Sequence, residues 1–244
     1  MMNILAIDTS MQACSVAVLA NGDKQQISCV YEEIERGHAE RLLLMVDEAL
    51  VKSGLDIKHI DQFAVSRGPG TFTGVRIGIA AARGLALACK KPLIGIGTLQ
   101  ILAARVLFEQ PDLAEQPQNG KEQHLSIAID ARRGEIYWQS FDLTGKPLSE
   151  PLALAPQTIA SLIEQSDHSF VLVGSGAQLI APILTEAAIP FTITQNSLQP
   201  DAARLAEIVA TLTSSGSSPR QSASPLYLRP ADAKIQTGFA IERQ

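Results

Sequence analysis

Short apolar runs alternate with amphipathic stretches along the first hundred residues, and their order indicates an α/β protein. Apolar runs bounded by turn residues are typical of buried strands, whereas apolar residues spaced three or four apart are typical of helices. The pattern predicts strands at residues 3–7, 14–19 and 25–31 with a hairpin turn at 21–23, a helix over 38–52, a strand at 60–65, a helix over 73–88 and a strand at 93–96.

The second half of the chain partly repeats this order. A helix over residues 97–108 and an exposed polar loop at 109–123 separate the two halves. The repeated pattern then predicts strands at 125–129 and 135–143, a helix near 157–164, a strand at 170–173, a helix over 177–188 and a last helix over 202–212. Asp201 is placed to cap that last helix.

Duplication of such a unit predicts two similar α/β domains that face a cleft. This is the arrangement of the actin-like fold, also described as ASKHA or duplicated ribonuclease H-like, and it is the fold class we expect. We place the first domain at residues 1–103, the second at 104–200, and a flexible linker and tail at 214–244. The sequence leaves open whether the helix over 202–212 packs on the first domain.

Composition and charge narrow the classes of function. A chain of 244 residues can hold two modest domains, and its net charge of −5 argues against strong nucleic-acid binding by this chain alone. Residues 1–20 lack the basic start of a signal peptide, and no apolar stretch approaches the length of a membrane span. Cys14, Cys29 and Cys89 lack metal-binding spacing. We expect a cytoplasmic protein with reduced cysteines and no membrane contact.

Corresponding strands in the two halves both end on an aspartate. In actin-like nucleotide binders such strand-end turns face the phosphates and their Mg²⁺, with glycines near the base. One interpretation is therefore a vestigial nucleotide site between the halves; the other is that each aspartate caps its own turn. The candidate residues are Asp8, Thr9, Ser10, Asp130, Gly174 and Gly176.

A glycine-rich segment at residues 66–78 joins a predicted strand to a predicted helix. It is not a Walker A loop, because no Gly-Lys-Ser/Thr follows, and its glycine spacing is too long for a dinucleotide-binding fingerprint. Gly74, Gly78 and Ala82 instead recur every fourth residue and form a smooth stripe on one helix face. Such a stripe favours close packing, either on the chain's own sheet or against a helix of another chain; we predict a contact with another chain.

The helix over 38–52 has apolar residues outside its core stripe. Leu44 and Val51 are seven residues apart and fall among acidic residues on the side away from the core. They are either two stray exposed side chains, which are common, or an apolar edge that meets a partner helix. The four histidines, His38, His59, His124 and His168, are far apart in sequence, and we interpret each as a surface or capping residue rather than a ligand.

Three segments together resemble the bacterial TsaB family, also called YeaZ: ILAIDTS at 4–10, SRGPGTFTGVRIG at 66–78 and PLYLR at 225–229. The resemblance runs over nearly the whole chain and is strongest in residues 1–105. It implies the actin-like fold and kinship with TsaD, the catalytic subunit that transfers a threonylcarbamoyl group to adenosine 37 of tRNAs reading codons that begin with A.

The resemblance also implies what this chain lacks. The catalytic relative carries a metal-binding His-x-x-x-His just after the strand at 93–96, and here Thr98 and Leu102 stand at those positions. A leucine binds no metal, and a lone threonine is a poor ligand. The implied role is a non-catalytic scaffold that binds and activates the TsaD-type subunit.

The family's partners and contact surface follow from the same resemblance. The implied interface is on the helices over 38–52 and 73–88, at Leu44, Val51, Gly74, Gly78 and Ala82. A TsaE-type ATPase completes the assembly, free chains pair as homodimers, and tRNA is reached only through the complex. We expect no cofactor, with weak binding of ATP or ADP left open. The alternative is an ATP- and Mg²⁺-dependent kinase or ATPase; a metallopeptidase has no residue support.

Overall fold

The computed structural model describes residues 2–21, 25–115, 121–194, 198–214 and 223–229. The predicted turn at 21–23 and the predicted linker and tail at 214–244 fall largely on residues 22–24, 215–222 and 230–244, which lie outside the described residues. The described chain forms ten strands, six α-helices and two short 3₁₀ helices. We number the strands β1 to β10 and the α-helices α1 to α6 in chain order.

The first half builds a five-stranded mixed sheet. Its strands are β1 (Ile4–Asp8), β2 (Ala13–Asn21), β3 (Gln25–Glu33), β4 (Gln62–Ser66) and β5 (Leu93–Ile96), and they lie in the order β3-β2-β1-β4-β5. β1 to β3 are antiparallel neighbours, whereas β4 and β5 run parallel to β1. The central strands are buried on both faces, which is why their sequences read as continuous apolar runs.

The second half builds a sheet with the same order. Its strands are β6 (Gln123–Asp130), β7 (Ile136–Phe141), β8 (Leu152–Leu154), β9 (Ser169–Val173) and β10 (Phe191–Thr194). They lie in the order β8-β7-β6-β9-β10, so β6 occupies the place that β1 holds in the first sheet. This repeat confirms the predicted actin-like, duplicated ribonuclease H-like fold.

Helices cover both faces of each sheet. They are α1 (His38–Ser53), α2 (Phe72–Cys89), α3 (Thr98–Glu109), α4 (Pro156–Glu164), α5 (Ala177–Glu186) and α6 (Ala202–Ser214). α1 and α2 pack on one face of the first sheet, and α6 packs on the other. α4 and α5 pack on one face of the second sheet, and α3 packs on the other.

α3 and α6 lie between the two sheets in space but not in sequence order. Leu99 and Leu102 of α3 pack with the second sheet, although α3 begins before residue 103. Leu205 of α6 packs with the first sheet, although α6 follows the second half in sequence. The domain boundary placed at residues 103 and 104 therefore falls inside a helix, and the two halves are tied together by exchanged helices.

Two strands and two short 3₁₀ helices, one of them at Ile57–His59, were not predicted from the sequence. β8 and β10 are edge strands of three and four residues with no buried side chain, so their apolar pattern is weak. A 3₁₀ helix at Pro111–Glu115 lies where the sequence indicates a loop. β8 and β10 lie at the edges of the second sheet, and none of these elements changes the strand order of either sheet.

Candidate functional site

The turn after β1 and the start of α2 are packed against each other with almost no space between them. The Thr9 hydroxyl donates a hydrogen bond to the Gly74 carbonyl oxygen over 2.7 Å. A Cβ on Gly74 would overlap the Thr9 carbonyl oxygen, and one on Gly78 would lie 2.6 Å from Thr9 Oγ1. Real Cβ atoms essentially never approach that closely, so the glycines at these positions permit the contact.

The small-residue stripe on α2 therefore faces inward. Gly74, Gly78 and Ala82 are all buried within this chain, with Ala82 fully covered. Our prediction that these three residues meet another chain needs correction, because the chain's own β1 and β4 occupy that face. Of the two alternatives for the stripe, close packing on the sheet is the one that the structure contains.

The rest of the glycine-rich segment serves the same packing. The Thr71 amide donates to the Ser10 carbonyl over 2.8 Å, and the Thr71 side chain caps α2 by accepting from the Gly74 amide over 3.1 Å. A Cβ on Gly70 would overlap the Ser10 carbonyl oxygen. The Thr71 and Gly74 amides at this helix start thus have partners inside the chain.

Asp8 is buried beneath this turn. Its carboxylate accepts hydrogen bonds from the Ser10 amide at 3.2 Å and from the Ser10 hydroxyl at 3.0 Å. Burial raises the pKa of Asp8 to about 6, although the hydrogen bonds from Ser10 oppose the shift. The side chain is fully covered, so it braces its own turn, as the capping interpretation expects.

A cleft of about 460 Å³ lies between the two halves of the chain. Of the six candidate nucleotide-site residues, Asp130 and Gly174 line it, whereas Asp8, Thr9, Ser10 and Gly176 are not among its lining residues. The first half contributes Met11, Gln12, Gly70 and Thr71, and the second contributes residues 129–132, Tyr137, Gly174 and Ser175, with Leu198 and Gln199 completing the wall. The cleft lies between the two halves, as the sequence predicts, but four of the six predicted residues are not part of its wall.

Asp130 is the carboxylate that reaches this cleft. Its side chain is one quarter exposed, accepts from the Arg132 amide over 2.7 Å and pairs with the Arg132 guanidinium over 3.2 Å. The Asp130 amide donates to Ser175 Oγ over 3.0 Å. The site thus offers one carboxylate and one guanidinium to a ligand, and both already contact each other.

The two glycines after β9 have a structural reason of their own. Gly174 has a φ of +97°, and a Cβ there would overlap the Ala128 carbonyl oxygen. A Cβ on Gly176 would lie 2.8 Å from a methyl of Ile136. Both glycines allow the turn before α5 to approach β6 closely, whether or not a nucleotide base binds nearby.

The outward faces of α1 and α2 expose large apolar side chains. Leu44 is 58% exposed and Val51 81% exposed, as expected for an apolar edge on α1. α2 adds a feature that the sequence-based prediction missed: Leu87 is 80% exposed, and Ala80 and Gly84 are exposed on the same side of the helix. We call Leu44, Val51, Ala80, Gly84 and Leu87 the outer face.

Gly84 differs from the inward glycines of the same helix. A Cβ on Gly84 would meet no heavy atom within 4 Å. By length and composition α2 is apolar enough to cross a membrane, contrary to the sequence-based expectation, yet only 33% of it is buried in the chain. Much of the apolar surface of α2 is therefore exposed and takes no part in packing on the first sheet.

The two positions that match the catalytic relative's histidines are buried. Thr98 begins α3, with its amide donating to the Gly68 carbonyl over 2.9 Å, and its side chain is fully covered. Leu102 packs in the core of the second half. Neither side chain lines the cleft between the halves.

Residues 223–229 connect the two halves outside the sheets. The Leu226 amide donates to the Arg67 carbonyl over 2.7 Å, and Arg76 Nε donates to the Tyr227 hydroxyl over 2.9 Å. At the other end, Arg229 pairs with Glu135 of the second half. The PLYLR segment noted in the sequence is therefore a strap from the first half to the second.

Two of the four histidines, which the sequence analysis interprets as surface or capping residues, lie together. The rings of His124 and His168 stack with centroids 3.9 Å apart. Neither lines the cleft, since β6 begins near His124 and reaches the cleft at its other end, with Ile129 and Asp130.

Two sheets of the same strand order, exchanged helices and a cleft between the halves define an actin-like, duplicated ribonuclease H-like protein. Residues 18–236 match the family model described as TsaD, tRNA N6-adenosine threonylcarbamoyltransferase. The chain is 38% identical over 181 residues to the tRNA threonylcarbamoyladenosine biosynthesis protein TsaB of Escherichia coli strain K12, covering 72% of this chain and 73% of that protein. It is 42% identical over 187 residues to the protein of the same name from Haemophilus influenzae, covering 72% of each.

Solved structures agree with these sequence matches. YeaZ from Pseudomonas aeruginosa superposes with a TM-score of 0.74 at 33% identity, covering 93% of this chain and 100% of that one. The chain belongs to the TsaB (YeaZ) family.

Proposed function

We propose that this chain is a non-catalytic scaffold subunit in the threonylcarbamoylation of adenosine 37 in tRNAs reading codons that begin with A. In this role it binds a TsaD-type catalytic subunit and activates it, while a TsaE-type ATPase joins the assembly and tRNA is contacted through the complex. The names of its relatives, tRNA threonylcarbamoyladenosine biosynthesis proteins, support the pathway.

The outer face is the observation that supports a partner-binding role. Val51 and Leu87 are about four-fifths exposed on neighbouring helices, and Gly84, one turn before Leu87, leaves the α2 backbone open to close approach. Contiguous exposed apolar surface on a soluble protein is typical of a protein–protein contact. Two neighbouring helices with such a face fit a helical-bundle interface, with the TsaD-type subunit or with a second copy of this chain.

The residues at the positions of the relative's metal site support the non-catalytic part of the proposal. Thr98 and Leu102 are buried and used in packing. Neither supplies the pair of imidazoles that the resemblance assigns to the catalytic subunit. We therefore assign the threonylcarbamoyl transfer to the TsaD-type subunit, and this chain provides the surface that binds that subunit.

The cleft supports a second, weaker role in binding ATP or ADP. Its volume of about 460 Å³ lies in the range of small-molecule sites, and Asp130 with Arg132 stands at its wall. An ATP-dependent kinase or ATPase would need carboxylates placed around Mg²⁺. Asp8, the second carboxylate of that hypothesis, is buried under its own turn, so we favour nucleotide binding without turnover.

Reconstitution tests the main proposal. The TsaD-type and TsaE-type subunits, with the threonylcarbamoyl donor and tRNA, should modify adenosine 37 only when this chain is added. This chain alone should modify none. Modification at an unchanged rate without this chain, or modification by this chain alone, would contradict the scaffold role.

A further inference from the structure

We propose that Glu122, His124 and His168 form a Zn²⁺-binding site at the start of β6 and β9. The donor atoms of these three side chains all lie within 4.8 Å of one another. Imidazole nitrogens with a carboxylate oxygen are a donor set that Zn²⁺ prefers. The site is independent of the proposed function, because it lies about 20 Å along β6 from the cleft residue Asp130, at ~3.3 Å per residue.

The separations suit one shared ion. His168 Nδ1 and Glu122 Oε2 are 4.0 Å apart, which is too far for a hydrogen bond. Zn²⁺ binds nitrogen and oxygen at about 2.0–2.2 Å, so two ligands on a tetrahedral ion lie roughly 3.3–3.5 Å apart. Glu122 is 71% exposed and can rotate toward the ion. The His124 and His168 rings stack with centroids 3.9 Å apart, so one of them must turn out of the stack to aim its in-plane lone pair at the ion.

His168 Nδ1 is a buried polar atom whose hydrogen-bonding capacity is unsatisfied. The atom is shielded from solvent, and among the described residues it has no hydrogen-bond partner. Buried polar atoms are nearly always bonded, so an orphaned ring nitrogen calls for a ligand. A metal ion shared with Glu122 and His124 would satisfy it.

The backbone holds the three residues in place before any ion binds. β6 and β9 pair in parallel with Gln123 opposite Ser169, which sets the residues before and after this pair side by side. The Ser169 amide donates to the Glu122 carbonyl over 3.0 Å. The Phe170 ring packs edge-on against His124, with centroids 5.6 Å apart.

The surroundings of His124 favour the neutral form of its imidazole. Burial, and then the neighbouring His168, lower the pKa of His124. Lys121, which precedes Glu122 in the chain, is paired with Asp167 over 3.0 Å, so its charge is partly neutralised. Neutral imidazole is the form that ligates a metal.

The ion would cross-link the N-terminal ends of β6 and β9. With three protein ligands and water in the fourth position it would tie Glu122 and His124 of one segment to His168 of the other. Because the site exists only when β6 and β9 pair, Zn²⁺ would stabilise the folded state by mass action.

Zinc titration of the untagged, metal-free full chain tests this site. Calorimetry should show one Zn²⁺ per chain, Co²⁺ should give the absorption bands of a tetrahedral nitrogen–oxygen site, and Zn²⁺ should raise the Tm. His124→Ala, His168→Ala and Glu122→Gln should each weaken binding by at least about tenfold. His59→Ala, which removes an exposed histidine elsewhere, should bind as the wild type does.

Glu122→Gln keeps the size of the side chain, so its loss of affinity is not explained by misfolding, and circular dichroism checks the histidine variants. Absence of a one-to-one site in the wild type would overturn the proposal. So would an affinity that is unchanged in both histidine variants, or one that falls as far in His59→Ala.

Discussion

The Thr9 hydroxyl donates a hydrogen bond to the Gly74 carbonyl oxygen over 2.7 Å, and this contact fixes the start of α2 against the end of β1. The same turn supplies Ser10, which bonds the buried carboxylate of Asp8. The glycine-rich turn resembles a phosphate-binding loop in sequence, but in the structure it packs the start of α2 tightly against the end of β1. It also directs the opposite side of α2, with Gly84 and Leu87, toward solvent.

Two glycines on α2 should respond to alanine in opposite directions. Gly84→Ala should stabilise the fold by about 0.5–1 kcal/mol, because alanine is the better helix former and its Cβ meets open space. Gly78→Ala should destabilise it by about 1–3 kcal/mol, because the Cβ displaces the Thr9 hydroxyl. Urea unfolding measures both; equal effects of the two changes would refute the inward and outward assignment.

The buried Asp8 should make stability depend on pH. The folded-state pKa of about 6 is above the unfolded value of 3.8, so the folded state holds the proton more tightly. The wild type should therefore lose stability as pH rises from 4 to 7, by up to about 3 kcal/mol for a shift of roughly two units. The Asp8→Asn variant should not lose this stability. Its free energy of unfolding, relative to that of the wild type, should therefore increase from pH 4 to pH 7.

Urea unfolding at several pH values gives the difference between Asp8→Asn and the wild type. Asp112→Asn, which changes an exposed carboxylate, supplies the baseline. A difference that stays constant from pH 4 to 7, or that shrinks as pH rises, would contradict the assignment of Asp8 as a buried, destabilising charge.

Binding of a nucleotide in the cleft should depend on Asp130 rather than on Asp8. We expect calorimetry to show weak binding of Mg²⁺-ATP that Asp130→Ala removes, because Asp130 lines the cleft. Asp8→Asn should leave that binding unchanged, because Asp8 is covered. Tight binding with ATP hydrolysis that Asp8→Asn abolishes would instead revive the kinase or ATPase hypothesis.

Most of the fold could be predicted from the sequence because its central strands are buried on both faces. β1, β4, β6 and β9 read as continuous apolar runs, and their repetition predicts the duplicated architecture. β8 and β10 were missed because short edge strands bury little. The sequence left open whether α6 packs on the first sheet, and the packing of α3 on the second sheet was not predicted, since both helices have ordinary apolar stripes.

The candidate site was predictable only in part. Periodicity places Gly74 and Gly78 on one face but does not say whether that face points to the sheet or to another chain. Leu44 and Val51 could be recognised in the sequence because they fall among acidic residues. Gly84 and Leu87 could not, because α2 is apolar on nearly all sides and its pattern does not reveal which face is exposed. His124 and His168 meet through the register of two parallel strands, which residue spacing does not reveal.

Complex formation with the TsaD-type subunit tests the central claim most directly. Gly84→Leu and Leu87→Arg alter exposed positions of the outer face without entering the core, and Leu179→Arg changes an exposed leucine of α5 as a matched control. In size-exclusion chromatography with light scattering, the wild type and Leu179→Arg should elute with the catalytic subunit, whereas Gly84→Leu and Leu87→Arg should elute as folded free chains. Unchanged complex formation by both outer-face variants would contradict the account.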